Sequence, residues 1–179
     1  GETPDEVAAL MDDLRDAGCR ILTIGQYLQP THKHYPVAEY VTPAQFTAYK
    51  ELGLRKGFTQ VESAPLVRSS YHVTSVDRDD LPDLGAAHWV QTIREIKRLN
   101  PDTTVEVLIP DFQGRKELID MVIEARPEII SHNMETVKRI SPLVRSAAHY
   151  ETSLEVLRQI SESGTVAKSG IMVGLGETP

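Results

Sequence analysis

Cysteine is nearly absent from this 179-residue chain: Cys19 stands alone. One thiol excludes an internal disulfide, and it cannot by itself build a structural zinc site or an iron–sulfur cluster. At the start of an apolar run, Cys19 reads as a small buried hydrophobe. Basic residues are also in deficit, with 19 Lys and Arg against 26 Asp and Glu for a formal charge of -7. No basic stripe is visible, which argues against nucleic acid or an anionic membrane surface as a partner. Aromatic residues make up only 6%. Apolar runs approaching the roughly 20 residues that cross a bilayer are missing, as is an N-terminal leader pattern, so the expected location is the cytoplasm.

What is present is ordinary for one globular domain, and residues 1–179 are read as a single unit. Short apolar runs alternate with amphipathic stretches. Strands are expected near 20–24, 58–63, 72–76, 103–109, 127–131 and 166–173. Helices are expected over Asp5 to Ala17, from the Thr42-Pro43 start to about Lys56, from Gly85 to about Leu99, from about Gly114 to Glu124, and from about Glu151 to Glu162. This βα alternation predicts an α/β fold, a partial (βα)6 TIM-type barrel with parallel strands. Ligands then belong at the C-terminal strand ends. Those ends present Gln26, Asp77, Asp111, Asn133, Glu135 and Glu177, a polar ring above an expected apolar interior.

Two features break the pattern. Gly1-Glu2-Thr3-Pro4 repeats Gly176-Glu177-Thr178-Pro179, so the chain ends in a strand and helix cap and begins with the helix that should follow. The termini look like one severed βα unit, as in a circularly permuted or misjoined sequence. The run ahead of Asp77 is also too short for a central strand, which places a second join near His72 or Val73. Of the polar clusters, His32 and His34 read as solvated loop histidines, and Asp77, Arg78, Asp79 and Asp80 as local ion pairing and helix capping.

Gly25-Gln26-Tyr27-Leu28-Gln29-Pro30, Arg68-Ser69-Ser70-Tyr71-His72, Thr74 to Leu81, Pro110-Asp111-Phe112, His132-Asn133-Met134-Glu135-Thr136 and Gly174-Leu175-Gly176-Glu177 together resemble lipoyl synthase. In that resemblance residues 1–72 correspond to the family's C-terminal part and 73–179 to its central part. The order is permuted. The resemblance implies a radical S-adenosylmethionine (SAM) enzyme that inserts two sulfur atoms into a protein-bound octanoyl chain, with two 4Fe-4S clusters as cofactors. The implied partner is an octanoylated lipoyl-carrier domain or glycine cleavage H protein. It further implies polar contacts to SAM from Asn133 and Glu135, a carboxylate partner in Arg145 or Lys168, close backbone approach at Gly174 and Gly176, and an auxiliary-cluster ligand at Ser69 or Ser70. The family's Cys-x3-Cys-x2-Cys motif and its second cysteine group are not in these residues, so thiolate ligation of either cluster within the chain is not expected. Two other readings stand beside it. One is a non-catalytic partial barrel that binds SAM or a partner weakly; the other is a lyase using Asp77, Asp111 and Glu135.

Overall fold

The computed structural model describes residues 1–31, 33–67, 73–74, 78, 80–145 and 148–175. Helix α1 (Pro4–Asp16) starts where the sequence sets a reciprocal cap: the Thr3 hydroxyl accepts from the Glu6 amide at 3.2 Å, and the Glu6 carboxylate accepts from the Thr3 amide at 2.8 Å. Its apolar face buries Val7, Leu10, Met11 and Leu14. Helix α2 (Pro43–Arg55) is capped in one direction by Thr42, whose hydroxyl accepts from the Gln45 amide at 3.2 Å. Helix α3 (Ala86–Leu99) follows Asp83, whose carboxylate accepts from the Gly85 and Ala87 amides; those bonds hold the Asp83 carboxyl below the usual range. Helices α4 (Lys116–Glu124), the single turn α5 (Ser141–Val144) and α6 (Tyr150–Glu162) complete the helical layer. The helix expected from Gly114 begins two residues later. Phe112, Gln113 and Gly114 all have positive φ and form a tight 3-10 turn that cannot continue into a right-handed helix.

The strands are β1 (Ile21–Gln26), β2 (Gln60–Ser63), β3 (Val73–Thr74), β4 (Glu106–Leu108), β5 (Ile129–Ser131) and β6 (Val166–Val173). They form one six-stranded sheet in the order β2-β1-β6-β5-β4-β3, and every pairing is parallel. This is the parallel α/β architecture that the alternation predicts. Among the described residues β2 and β3 are the two edges. Read from β3, the strands lie in simple succession, provided the second half of the chain is placed before the first. Gly1 lies at the end of β6, where a Cβ on it would be 3.2 Å from the Leu175 carbonyl oxygen. The second Gly-Glu-Thr-Pro copy lies outside the described residues.

Side chains alternate across the sheet. Leu22, Ile24, Val61, Val107, Ile130, Ala167, Ile171 and Val173 face the helices and are buried. The register then puts Thr23, Gly25, Ser131, Lys168, Gly170 and Met172 on the other, inner face with Glu106. That face is not the apolar interior expected from the sequence. Glu106 Oε1 accepts from both Ser131 Oγ and Lys168 Nζ at 2.7 Å, so three polar groups from β4, β5 and β6 satisfy one another while largely buried.

Candidate functional site

A cavity of about 570 Å³ opens on the inner face at the C-terminal ends of β1, β5 and β6. Its floor is Thr23, Gly25 and Gly170, and one wall is Asn133 and Glu135. The opposite wall is residues 65–67, which lie directly on β1. A Cβ at Gly25 would come within 2.7 Å of the Val67 carbonyl oxygen, and the Pro65 carbonyl accepts from the Gln26 amide at 3.3 Å. Leu28 and Leu66 form an apolar lip, 55% and 84% exposed.

Residues 132–135 build the polar wall by extending β5 alongside β6. The His132 amide donates to the Lys168 carbonyl at 3.0 Å, the Glu135 amide to the Gly170 carbonyl at 3.1 Å, and the Met172 amide to the Glu135 carbonyl at 2.7 Å. Glu135 takes a φ of 65°, a left-handed conformation that costs a non-glycine residue about 1–2 kcal/mol. Strain of this kind gathers at functional sites. Burial raises the Glu135 carboxyl above its ordinary range, partly countered by a hydrogen bond from Asn133 and the nearby Arg145 charge. A perturbed carboxyl on a strained backbone in a cavity is what a ligand-binding group looks like.

Arg145 and His132 brace that wall from behind. Arg145 donates to the Met134 carbonyl at 3.2 Å and to Ser153 Oγ at 3.1 Å. His132 Nδ1 lies 3.0 Å from the Ile109 carbonyl, so Nδ1 carries the proton; Nε2, 2.9 Å from Ser153 Oγ, accepts. Burial lowers the His132 pKa and keeps the ring neutral. Burial likewise lowers that of Arg145, opposed by Glu135 and Asp111.

Of the residues singled out from the sequence, Asn133 and Glu135 meet at the cavity. Arg145 sits behind them. Lys168 lies on the strand below, and the carboxylate it faces is Glu106 of the same chain. The close approach at Gly174 is likewise internal: a Cβ there would meet the Glu39 carbonyl oxygen at 2.2 Å and Gln26 Nε2 at 2.4 Å. Asp111 accepts from the Gln113 amide at 2.9 Å and shapes the turn after β4. Arg78 and Asp80 pair at 2.8 Å as expected. Ser69, Ser70, Gly176, His32, Asp77, Asp79 and Glu177 lie outside the described residues. The sequence reading missed Thr23, Gly25, Gly170 and Met172; their period-two spacing in β1 and β6 was the available signal. It also missed Glu2, whose carboxylate accepts from the Gly174 and Leu175 amides at 2.9 and 3.1 Å and from Thr136 Oγ1 at 2.9 Å. Among the described residues no three His, Cys, Asp or Glu side chains are grouped to hold a metal ion, and no helix is long and apolar enough to cross a membrane.

Residues 46–179 match the profile of the Radical SAM superfamily. The chain is 82% identical over 119 residues to the lipoyl synthase of Bacteroides fragilis strain YCH46, covering 66% of this chain and 41% of that protein. Identity is 75% over 119 residues to the lipoyl synthase of Bacteroides thetaiotaomicron strain ATCC 29148, with 66% and 42% covered. It is 65% over 106 residues to that of Treponema denticola strain ATCC 35405, with 59% and 37% covered. The chain thus spans about two-fifths of the length of these curated relatives.

Proposed function

Because the chain belongs to the radical SAM superfamily, we propose that its cavity takes SAM and that its residues derive from a lipoyl synthase, which inserts two sulfur atoms into an octanoyl chain carried on a lipoyl-carrier domain or glycine cleavage H protein. The observation that carries the SAM reading is Glu135: strained, partly buried and beside Asn133 in the cavity at the C-terminal strand ends. Asn133 and Glu135 would hold the ribose hydroxyls of SAM. Arg145 would fix their backbone through Met134. When bound to a reducing cluster, SAM supplies the radical of this family's chemistry.

The 4Fe-4S clusters do not fit these residues. Thiolates are the ligands such clusters need, and Cys19 is the single cysteine in the sequence. It is fully buried, with its thiol pushed up to about 12 by desolvation. Ser69 or Ser70, assigned through the resemblance, would add at most one further ligand. These 179 residues are therefore proposed to bind SAM without cleaving it, which is the non-catalytic reading in its specific form.

Equilibrium dialysis with SAM tests the first part. Glu135→Gln should weaken binding about tenfold or more, the loss of a hydrogen bond to a charged group; equal binding by both forms would overturn the assignment. Anaerobic incubation with iron, sulfide, dithionite and an octanoylated carrier should release no 5'-deoxyadenosine above background. Release would show that the cysteine argument is wrong.

A further inference from the structure

Glu135 sits in a turn that its own backbone does not favour. The Thr136 amide donates back to the Met134 carbonyl at 2.8 Å, so Glu135, with its φ of 65°, is the central residue of a three-residue γ-turn in the positive-φ form. That form is rare and strained, and a strained backbone persists where its surroundings over-determine it. On the sheet side β6 does so. The Glu135 amide donates to the Gly170 carbonyl at 3.1 Å, the Met172 amide to the Glu135 carbonyl at 2.7 Å, and the Met134 amide to Ser169 Oγ at 3.3 Å. On the helix side the Met134 carbonyl accepts a second bond, from Arg145 Nη1 at 3.2 Å.

Arg145 closes the single turn α5 and needs an anchor of its own. Ser153, fully buried on α6, supplies it: Ser153 Oγ accepts from Arg145 Nη2 at 3.1 Å and lies 2.9 Å from His132 Nε2. The direction of this chain is forced. A guanidinium can only donate and a carbonyl can only accept, so between Arg145 and the Ile109 carbonyl, 3.0 Å from His132 Nδ1, every link runs one way. Arg145 donates to Ser153, Ser153 to Nε2, and Nδ1 to Ile109. The middle place calls for a hydroxyl, which accepts from one neighbour and donates to the next. Burial keeps the ring neutral, as the chain requires, and the Arg145 charge acts in the same direction.

We propose that Ser153 is a positioning residue of the site: through Arg145 it ties the Glu135 turn to α6 and to the end of β4, and so keeps Glu135 presented to the cavity. Ser153 itself does not line that cavity. The identity of the ligand rests on the SAM reading, whereas the hold on the turn exists without ligand. Losing the hydroxyl frees Arg145 from its anchor, and the Met134 carbonyl loses its support from the helix side. The turn then relaxes towards a commoner backbone. A protein whose competent form is a minor population binds with its apparent affinity reduced by that fraction.

Amide hydrogen exchange in the ligand-free protein reads the turn directly. In Ser153→Ala the Glu135, Thr136 and Met172 amides should exchange about tenfold faster, the equivalent of one lost hydrogen bond, while amides in the β1–β2 ladder keep their rates. Arg145→Lys retains the charge beside Glu135 but cannot bridge Met134 and Ser153 at once. It should speed the same three amides, and it decides the matter alone if Ser153→Ala does not fold. The double variant should go no further than either single one, because both cut the same chain. Unchanged rates at the three amides, or the same acceleration throughout the sheet, would overturn the proposal. In equilibrium dialysis SAM should bind Ser153→Ala about tenfold more weakly; affinity equal to wild type, with Glu135→Gln weakened, also overturns it. Wild-type protein that binds no SAM would sink the SAM reading instead, and the exchange rates would still decide whether Ser153 holds the turn.

Discussion

Replacing Gly174 by alanine probes how tightly the chain before α2 is clamped to the end of β6. Gly174 holds a φ of 90°, and an L residue there costs about 1–2 kcal/mol. Packing adds more. The new methyl would sit 2.2 Å from the Glu39 carbonyl oxygen and 2.4 Å from Gln26 Nε2, and neither atom is the end of a loose side chain. Gln26 Nε2 donates to the Tyr27 and Glu39 carbonyls at 3.0 Å, Gln26 Oε1 accepts from the Val41 amide at 2.9 Å, and the Gly174 carbonyl accepts from the Ala38 amide at 2.9 Å. Making room breaks at least two of these bonds at about 1 kcal/mol each. The expected total is about 3–4 kcal/mol, a large share of the 5–15 kcal/mol that holds a typical domain together. Gly164→Ala is the control, because its φ of 87° is equally left-handed but nothing lies within 4 Å of the added methyl. It should lose only the backbone part. In urea, with a slope of about 2 kcal/mol per molar, the midpoint should fall by about 2 M for Gly174→Ala and by less than about 1 M for Gly164→Ala. Equal losses from the two variants would refute the clamp.

Lys168→Met leaves the buried Glu106 carboxylate without its cation and should cost about 3–5 kcal/mol in urea, much of it recovered in the double variant with Glu106→Leu; a double variant no better than the single one would show that the two side chains are not coupled. Cys19 should stay unreactive to a thiol reagent in the folded chain and react fully in denaturant, given its burial and its thiol at about 12; rapid labelling of the native protein is the contrary result. Arg139 holds the Glu6 carboxyl down to about 2 from an ordinary 4.5. A depressed carboxyl stabilises the fold above its unfolded value and loses that effect as pH falls towards the folded one. Arg139→Ala should therefore cost about 1 kcal/mol at pH 7, discounted for the exposed arginine, and the gap from wild type should shrink between pH 4.5 and 2. A pH-independent gap would point to the arginine's bond to the Gly1 carbonyl instead.

Local signals were legible where the physics is local. Thr3 and Thr42 announced their helices because a cap and the amide it serves are three residues apart, and each strand was placed to within a few residues by its apolar run. The single turn at Ser141–Val144 is too short to show a period. The polar inner face was hidden for a different reason: Lys168 read as ligand-facing because its partner, Glu106, lies 62 positions away. Within the candidate site, Asn133 and Glu135 were found through their motif. The left-handed turn that presents Glu135 was not, since glutamate gives none of the warning that a glycine would at that φ.

The pairing of β1 with β6 also sets the order in which this protein can fold as it is made. During translation β1 leaves the ribosome before β6 does. Until β6 arrives, β1 has β2 on one side and an open row of amides and carbonyls on the other. An unpaired strand edge is a template for any other extended chain. Closing it pairs Ile21 with Lys168 and Gln26 with Val173, residues far apart in sequence, a slow event for which local structure gives no help. The nascent chain therefore carries an unpaired strand edge until β6 emerges, which is the interval in which a chaperone would have most to protect.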